Sequence, residues 1–446
     1  MTVTSAARVD RAIAIDRFRR IRERTRMLFD LLADSTYYDR PIALRNPVVF
    51  YEGHLPAFAV NTLLKKALGR PGIDRHLEEI FARGIDPETE ATALARGNPA
   101  WPSRADVRAY AAAADRAIEE VIQSASAAGA GRGVPLQEAV WAVLEHEEMH
   151  QETLAYMWHE LPYEKKRRPD GYTTLPTQNS QLPTSNSQQV QESGLGVGNW
   201  ELAVDQVTIP AGKASLGTRS DESVFAWDNE VEPHEVEVPA FAIDVHNVTN
   251  GQFMGFVESG GYREARWWRP EDWSWVVSEG IAHPRFWAHT DAGWQWRAMF
   301  ELVPLPPSWP VYVTWAEARA YAAWRGMRLP TEAEFHRASA GSAPVNVDFA
   351  RWDPVPVGTH PEAASVFGVH DLVGNGWEWT STPFAPFPGF TPLASYPEYS
   401  ADFFDGDHFV LKGASPVTAR GLIRSGFRNW FRPRYPYVYA GFRCVT

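Results

Sequence analysis

The sequence contains very little cysteine: Cys444 is the only cysteine among 446 residues. One thiol cannot form an intrachain disulfide, which is typical of proteins in reducing compartments. It also cannot build a metal site from several thiolates. Any metal site in this chain must therefore take most of its ligands from nitrogen and oxygen atoms.

Long apolar runs and excess positive charge are missing as well. No run of 18 apolar residues is present, so no transmembrane span is expected. The net charge of -12 at pH 7 argues against nucleic acid or an anionic membrane as the primary partner. Residues 1–8 lack the apolar core of a signal peptide, so we expect a cytoplasmic protein.

Helical patterns occupy residues 1–168. Apolar residues recur there at helical spacing with charged residues between them, and Ser103 is a suitable N-cap. Four helices joined by loops predict a bundle. The predicted helices are 10–32, 61–68, 103–124 and 136–159.

The composition and the secondary-structure pattern of the sequence change twice after this first domain. Residues 169–198 are rich in Gln, Ser, Asn and Pro, which predicts a flexible linker or an exposed insertion. Residues 199–446 have short strand patterns, Gly/Pro turns and short helices, including one capped by Thr314 and Glu317. We therefore predict an α+β protein with two domains, 1–168 and 199–446.

The strongest chemical signal is a pair of histidines in the last predicted helix of the first domain. At 100° per residue, His146 and His150 share one face of that helix, one turn apart. Two neutral imidazoles so placed are half of a transition-metal site, although such a pair also occurs without metal. Glu152 lies about 200° around the axis from His150, so we expect it to orient a ligand or a neighbouring helix.

The third ligand is expected from another helix, and His54 is the candidate. It lies in the helical half and follows an aromatic-rich stretch that contains Gly53. Three imidazoles leave coordination positions open for substrate and O₂, which suits non-heme Fe(II) as well as zinc. Spacing alone does not choose between these metals.

The same helix also matches the short zinc-protease pattern H-E-x-x-H, with Glu147 as the general base. The extended form of that pattern has Gly and His where Thr153 and Tyr156 stand here. A zinc hydrolase therefore remains an alternative, as does a binding module without catalysis.

Two resemblances cover nearly the whole chain apart from the linker. The His54 segment and H-x-x-x-H-x-E at 146–152 resemble the DinB-like four-helix domain of the non-heme iron sulfoxide synthases of ergothioneine biosynthesis. The second half resembles the formylglycine-generating-enzyme and sulfatase-modifying-factor fold, a C-type-lectin-like domain with little regular structure. Formylglycine generators hold copper with a cysteine pair, so the single Cys444 excludes that activity. The motifs of the second half lie at 245–253, 327–335, 371–380 and 440–444.

The family resemblance implies a reaction and a site. The cofactor would be Fe(2+), and the substrates would be hercynine (the trimethyl betaine of histidine), O₂ and a chalcogen donor, with no nucleic acid or membrane partner. Tyr396 would supply a proton, with Tyr399 as a second candidate. Asn429 and Trp430 would hold the betaine, because a quaternary ammonium binds aromatic faces. The implied metal ligands are His54, His146 and His150.

The implied donor pocket departs from the enzymes that use γ-glutamylcysteine. Those enzymes have an acidic residue and an arginine where Phe431 and Tyr435 stand here, and a glutamine where Met149 stands. A neutral, aromatic pocket suits a seleno-sugar, and 432–437 resembles the selenoneine synthases. We therefore predict carbon–selenium bond formation, with cysteine or γ-glutamylcysteine as the alternative donor. The predicted substrate-binding residues are Asn429, Trp430, Phe431, Arg432, Arg434 and Tyr435.

Overall fold

The computed structural model describes residues 10–82, 100–124, 133–172, 205–219 and 223–446. From residue 173 on, the predicted linker at 169–198 lies outside these ranges. Every helix within them is too short or too polar to cross a lipid bilayer.

The first half is helical, as predicted. Asp10 caps the first helix by accepting hydrogen bonds from the backbone N–H groups of Ala12 and Ile13. The predicted cap Ser103 accepts a bond of 3.2 Å from the N–H of Asp106, so the start of that helix is confirmed. The helices are α1 (Arg11–Asp30), α2 (Val48–Ala59), α3 (Arg75–Ile80), α4 (Arg104–Ser124) and α5 (Leu136–Glu160).

The predicted start of the second helix at residue 61 is wrong. The helix α2 begins at Val48 and continues into a π-helical segment, Val60–Ala67. Gly53 and Pro56 disfavour a helix in water, and α2 is buried nearly all around, so it has no amphipathic stripe to detect. Gly53 is required because a Cβ atom there would lie 2.3 Å from the ring of Phe81.

The second half combines small sheets with short helices. Thr314 and Glu317 form the predicted capping box. The central sheet has the order β10 (Asn429–Phe431), β9 (Phe409–Ala414), β8 (Gly376–Pro383), β11 (Ala440–Gly441). The strands are β1 (Gln206–Ile209), β2 (Gly212–Leu216), β3 (His234–Val238), β4 (Phe241–Asp244), β5 (Trp287–Thr290), β6 (Gly293–Arg297), β7 (Leu302–Pro304), β8 (Gly376–Pro383), β9 (Phe409–Ala414), β10 (Asn429–Phe431) and β11 (Ala440–Gly441). The helices are α6 (Asn250–Glu258), α7 (Pro270–Ser278), α8 (Trp315–Trp324), α9 (Glu332–Ala338) and α10 (Glu398–Ala401).

The helix α5 packs against both halves of the protein. The guanidinium of Arg424 donates to both carboxylate oxygens of Glu145 on α5, at 2.9 Å each, and also binds Glu230 of the second half. Near the end of α5, the His159 ring contacts the hydroxyl of Tyr439 and the carbonyl of Arg297, at 3.0 and 2.7 Å. The helix that carries the histidine pair is therefore fixed to the α+β domain over much of its length.

Candidate functional site

The structure brings the three predicted metal ligands together. His54 lies on α2, and His146 and His150 face it from α5. Their ring centroids are 5.2 Å (His54–His146), 5.1 Å (His54–His150) and 4.3 Å (His146–His150) apart. One nitrogen of each ring can be chosen so that all three lie within 4.8 Å of one another. Such a cluster fits a single transition-metal ion bound by three imidazoles.

Hydrogen bonds and stacking fix the orientation of each ring. The Nδ1 atom of His54 lies 2.9 Å from the Phe81 carbonyl, and that of His150 lies 3.0 Å from the His146 carbonyl. A carbonyl only accepts, so both Nδ1 atoms carry the proton and both Nε2 atoms present a lone pair. The His146 ring stacks on Phe58 at 3.6 Å between centroids.

Burial keeps the three imidazoles neutral. It lowers the pKa of His54 to about 4 and, with the nearby His54 ring, lowers the pKa of His150 to about 3. Burial also lowers the pKa of His146 well below its usual value. A neutral imidazole is the form that binds a metal, so the ligand set needs no deprotonation near pH 7.

Glu152 anchors the ligand helix rather than an individual imidazole. Its Oε1 atom accepts hydrogen bonds from Trp377 Nε1 and Ser415 Oγ, both at 2.7 Å, and its Oε2 atom accepts one from Thr418 Oγ1 at 2.8 Å. All three donors belong to the second half of the chain. The expected partner of Glu152 was a ligand or a neighbouring helix, but the observed partners lie on β8 and in the loop after β9, so its carboxylate anchors its own helix, α5.

The surroundings of Glu147 argue against the zinc-hydrolase alternative. Its carboxylate accepts two bonds of 2.9 Å from Arg22 and one of 2.6 Å from Thr25, both on α1. A hydrolytic base has to face the metal-bound water. Here the carboxylate faces α1 and is engaged in a buried ion pair, so the H-E-x-x-H match has no catalytic geometry.

The two candidate tyrosines lie next to the triad in different settings. Tyr396 is half-buried, with its ring 6.0 Å from His146 and 5.2 Å from Phe58 between centroids. Tyr399 is buried, and its hydroxyl donates to the sulfur of Met149 at 3.1 Å. Burial and nearby carboxylates raise the pKa of Tyr399 well above its usual value. The ring of Tyr396 therefore lies beside His146 of the triad, whereas the Tyr399 hydroxyl contacts Met149, which lies between His146 and His150.

Trp430 lies in an aromatic cluster beside Tyr399. Its ring stacks on Phe384 at 4.1 Å and meets Tyr399 edge-on at 5.2 Å between centroids. The neighbouring Asn429 bonds the Trp430 N–H through its own side-chain oxygen, at 2.9 Å. Aromatic faces gathered in this way suit a quaternary ammonium group.

The remaining predicted pocket residues separate into two sets. The Phe431 ring stacks on Tyr435 at 5.0 Å, and the Arg432 carbonyl accepts the Tyr435 N–H at 3.1 Å, which closes a turn. Arg434 instead forms an ion pair with Asp272 at 3.0 Å. Among the contacts described, this pair holds Arg434 against α7, and none brings it to the triad.

Sequence reasoning missed Arg45, which precedes α2. Its Nε atom donates to the Tyr435 hydroxyl at 2.9 Å, and its Nη2 atom donates to the Tyr156 hydroxyl at 2.7 Å. The prediction of a neutral pocket at Phe431 and Tyr435 is therefore wrong, because a cation from the helical half contacts Tyr435. The sequence gives little indication of this contact, because a single arginine in a loop belongs to no periodic pattern or motif.

The fold and the site together define a helical domain with a three-histidine cluster, joined to an aromatic-rich α+β domain. Residues 198–446 match the family of the sulfatase-modifying factor enzyme 1-like domain, and residues 17–154 match the DinB superfamily. The chain belongs to the sulfatase-modifying-factor family and carries a DinB-type domain before its family domain. Both predicted resemblances and the α+β multidomain fold are confirmed.

Several curated proteins are similar to this chain. A hercynine oxygenase from Mycolicibacterium smegmatis is 37% identical over 273 residues, which are 56% of this chain and 63% of that protein. Ergothioneine biosynthesis protein 1 from Schizosaccharomyces pombe is 28% identical over 439 residues, or 93% of this chain and 53% of that protein. An inactive C-alpha-formylglycine-generating enzyme 2 from Bos taurus is 32% identical, with 56% of this chain and 91% of that protein covered. The chain thus spans between half and two thirds of the length of the first two relatives.

Proposed function

We propose that this protein is a non-heme Fe(II) enzyme that uses O₂ to join hercynine to a chalcogen donor and oxidises the chalcogen. The carrying observation is the cluster of three neutral imidazoles beside Tyr396 and the aromatic group at Trp430. Relatives named hercynine oxygenase and ergothioneine biosynthesis protein 1 support this assignment. Family membership alone does not give an activity, so we assign the activity from the residues of this chain's own site.

Each part of the proposed site has one task. When bound, Fe(II) supplies the electrons that activate O₂ and the open positions at which substrates meet. His54, His146 and His150 would hold the metal, with His54 and His150 presenting their Nε2 atoms. Tyr396 supplies a proton from a neutral phenol, which brings no charge into the pocket.

The hercynine pocket lies on the α+β side of the triad. Trp430 and Tyr399 offer aromatic faces to the trimethylammonium group, which has no hydrogen-bond donor. Met149 lies between the two helical ligands and contacts Tyr399. Hercynine bound there would present its imidazole ring toward the metal and Tyr396.

For the donor we propose a seleno-sugar, with cysteine as the second candidate. Phe431 and Tyr435 stack on one another, and an aromatic face packs well against the C–H face of a pyranose ring. These positions also lack the acidic residue and the arginine that the resemblance associates with γ-glutamylcysteine. Cysteine remains a candidate because the cation of Arg45 could meet its carboxylate.

Product formation tests the reaction and the donor together. The protein, purified without oxygen and supplied with Fe(II), receives hercynine and O₂ with seleno-glucose, cysteine or γ-glutamylcysteine, and products are identified by mass. A selenium adduct of hercynine with seleno-glucose alone is the expected result. A sulfoxide formed from cysteine alone would overturn the selenium assignment, and the absence of any hercynine-dependent product would overturn the whole proposal.

Metal content tests the ligand set separately from turnover. His54→Ala, His146→Ala and His150→Ala should each lower iron binding by at least tenfold, because two imidazoles hold the ion poorly. His76→Ala is the matched control, since His76 is exposed on α3. Tightly bound zinc with peptide cleavage abolished by Glu147→Gln would favour the hydrolase instead.

A further inference from the structure

The stacked rings of Phe431 and Tyr435, called the donor wall below, are in contact with a cation from the helical domain. Arg45 lies in the loop before α2, between Tyr156 on α5 and Tyr435 of the second half, with its guanidinium carbon 5.5 Å from both ring centroids. Two hydrogen bonds, to the two phenol oxygens, fix the plane of the guanidinium. A cation held in this way is positioned before any ligand arrives.

The position of this cation relative to the triad follows from α5. Tyr156 lies six residues beyond His150 on the same helix, which corresponds to about 9 Å along the axis. The Tyr51 ring, six residues after Arg45, lies 6.1 Å from the His150 ring between centroids. Arg45 therefore contacts a residue of the ligand helix, Tyr156, that lies about 9 Å along the axis from His150, and at the same time contacts Tyr435 of the second half.

The surrounding side chains indicate what could bind there. Phe431 stacks on Tyr435 and meets Tyr156 edge-on at 6.4 Å between centroids. The wall thus combines a flat apolar face, two phenol hydroxyls and a guanidinium. A guanidinium binds pairs of adjacent oxygen atoms through its parallel N–H groups. Such pairs occur in vicinal sugar hydroxyls and in carboxylates.

We propose that Arg45, positioned by Tyr156 and Tyr435, determines donor specificity by binding an adjacent pair of oxygen atoms at the end of the chalcogen donor remote from the reacting atom. This inference rests on the proposed function. It assigns a residue of the helical domain to the recognition of a substrate otherwise expected to meet the α+β domain. It also explains how a pocket with a tyrosine at position 435 still contains a cation.

Arg45→Met tests the inference, because it keeps the length and apolar stem of the side chain but removes every donor. The KM of the active donor should rise about 10- to 100-fold, while the KM of hercynine stays within twofold. Arg45→Lys should recover only part of the loss, since an ammonium lacks the paired geometry. Tyr435→Phe should give an intermediate loss, because the guanidinium then has one fewer hydrogen bond to fix it.

A binding measurement separates this inference from the proposed reaction. Calorimetry without oxygen on the iron-loaded protein, with 1-thioglucose and with cysteine as probes, needs no turnover. Arg45→Met should weaken one of these probes at least tenfold, and the probe affected identifies sugar hydroxyls or a carboxylate as the bound oxygens. Arg168→Met is the control, since Arg168 lies over the Tyr172 ring at 5.9 Å in the same kind of pair away from the triad.

The outcomes are distinct. If wild type forms no hercynine product but Arg45→Met still weakens a probe, the reaction is wrong and the binding role stands. If Arg45→Met leaves both probe affinities and the donor KM unchanged, or weakens hercynine and the donor equally, Arg45 is structural and the inference is overturned. Unfolding curves for each variant show whether a loss of binding is only a loss of fold.

Discussion

The indole Nε1 atom of Trp377 donates a hydrogen bond of 2.7 Å to the carboxylate of Glu152, two residues beyond His150 on the ligand helix. Trp377 lies on β8, in the central sheet of the second half, and is buried. The contact therefore connects the helix that supplies two imidazoles to the sheet whose edge strand carries Trp430. The position of the metal ligands relative to Trp430 therefore depends on this hydrogen bond.

Glu152→Ala is expected to destabilise the protein and to loosen the ligand helix. It would leave Trp377, Ser415 and Thr418 with buried donors and no carboxylate, which costs about 3 kcal/mol or more in the free energy of unfolding. Glu152→Gln keeps the shape and one acceptor, so its cost should be about 1 kcal/mol. Denaturant unfolding and iron affinity are the measurements. The exposed Glu164 provides the control, and an Ala variant of Glu152 as stable as that of Glu164 would contradict the anchoring role.

Two of the three triad residues could be predicted from local periodicity, whereas the third could not. His146 and His150 lie on a helix whose bounds were predicted correctly to within one residue, because helical spacing alone puts them on one face. His54 lies on α2, whose Gly53 and Pro56 hide a helix that tertiary burial imposes. The aromatic-rich stretch before His54 and the family resemblance indicated this residue, although no helix could be assigned to it.

Contacts between the two halves could not be predicted at all. The interaction of Arg45 with Tyr435 joins residues 390 positions apart, and no spacing or motif encodes such a pair. The same holds for Glu152, whose angle on the helix excluded it as a ligand without identifying Trp377 as its partner. Long-range pairs depend on how the domains pack, which a single sequence does not state.

The second prediction concerns pH. Burial, with a contribution from the nearby Arg297 cation, lowers the pKa of Lys166 to about 7. The unfolded chain keeps this lysine protonated up to its usual pKa of about 10.5. Above pH 7 the unfolded state therefore binds more protons than the native state, and the stability contributed by this residue rises with pH.

Lys166→Met removes this dependence. Between pH 7 and 8.5, the free energy of unfolding of wild type should rise relative to that of Lys166→Met by about 1–2 kcal/mol. Denaturant unfolding at the two pH values measures the change. Lys165→Met is the neighbouring control, since Lys165 pairs with Asp39 in a more exposed position. A difference between wild type and Lys166→Met that stays constant with pH would contradict the lowered pKa.

The third prediction separates the two tyrosines. Tyr396→Phe should lower the rate of product formation by about 10²–10⁴-fold while the affinity for hercynine stays within twofold, because the variant loses a proton donor but keeps its ring. Tyr399→Phe should change the affinity for hercynine by several-fold with a smaller effect on rate, because its hydroxyl contacts Met149. Single-turnover rates and anaerobic calorimetry distinguish the two. Equal losses of rate in both variants would leave Tyr396 without a special role.

The fourth prediction exchanges the donor pocket. Phe431→Asp combined with Tyr435→Arg would replace the stacked ring pair with opposite charges, the arrangement that the family resemblance associates with γ-glutamylcysteine. The double variant should raise kcat/KM for γ-glutamylcysteine relative to seleno-glucose at least tenfold. Tyr435→Arg alone should bind every donor poorly, because the new guanidinium would lie beside that of Arg45 with no counter-charge. If the ratio of kcat/KM for γ-glutamylcysteine to that for seleno-glucose is the same in the double variant as in wild type, these two positions do not recognise the charged ends of the donor.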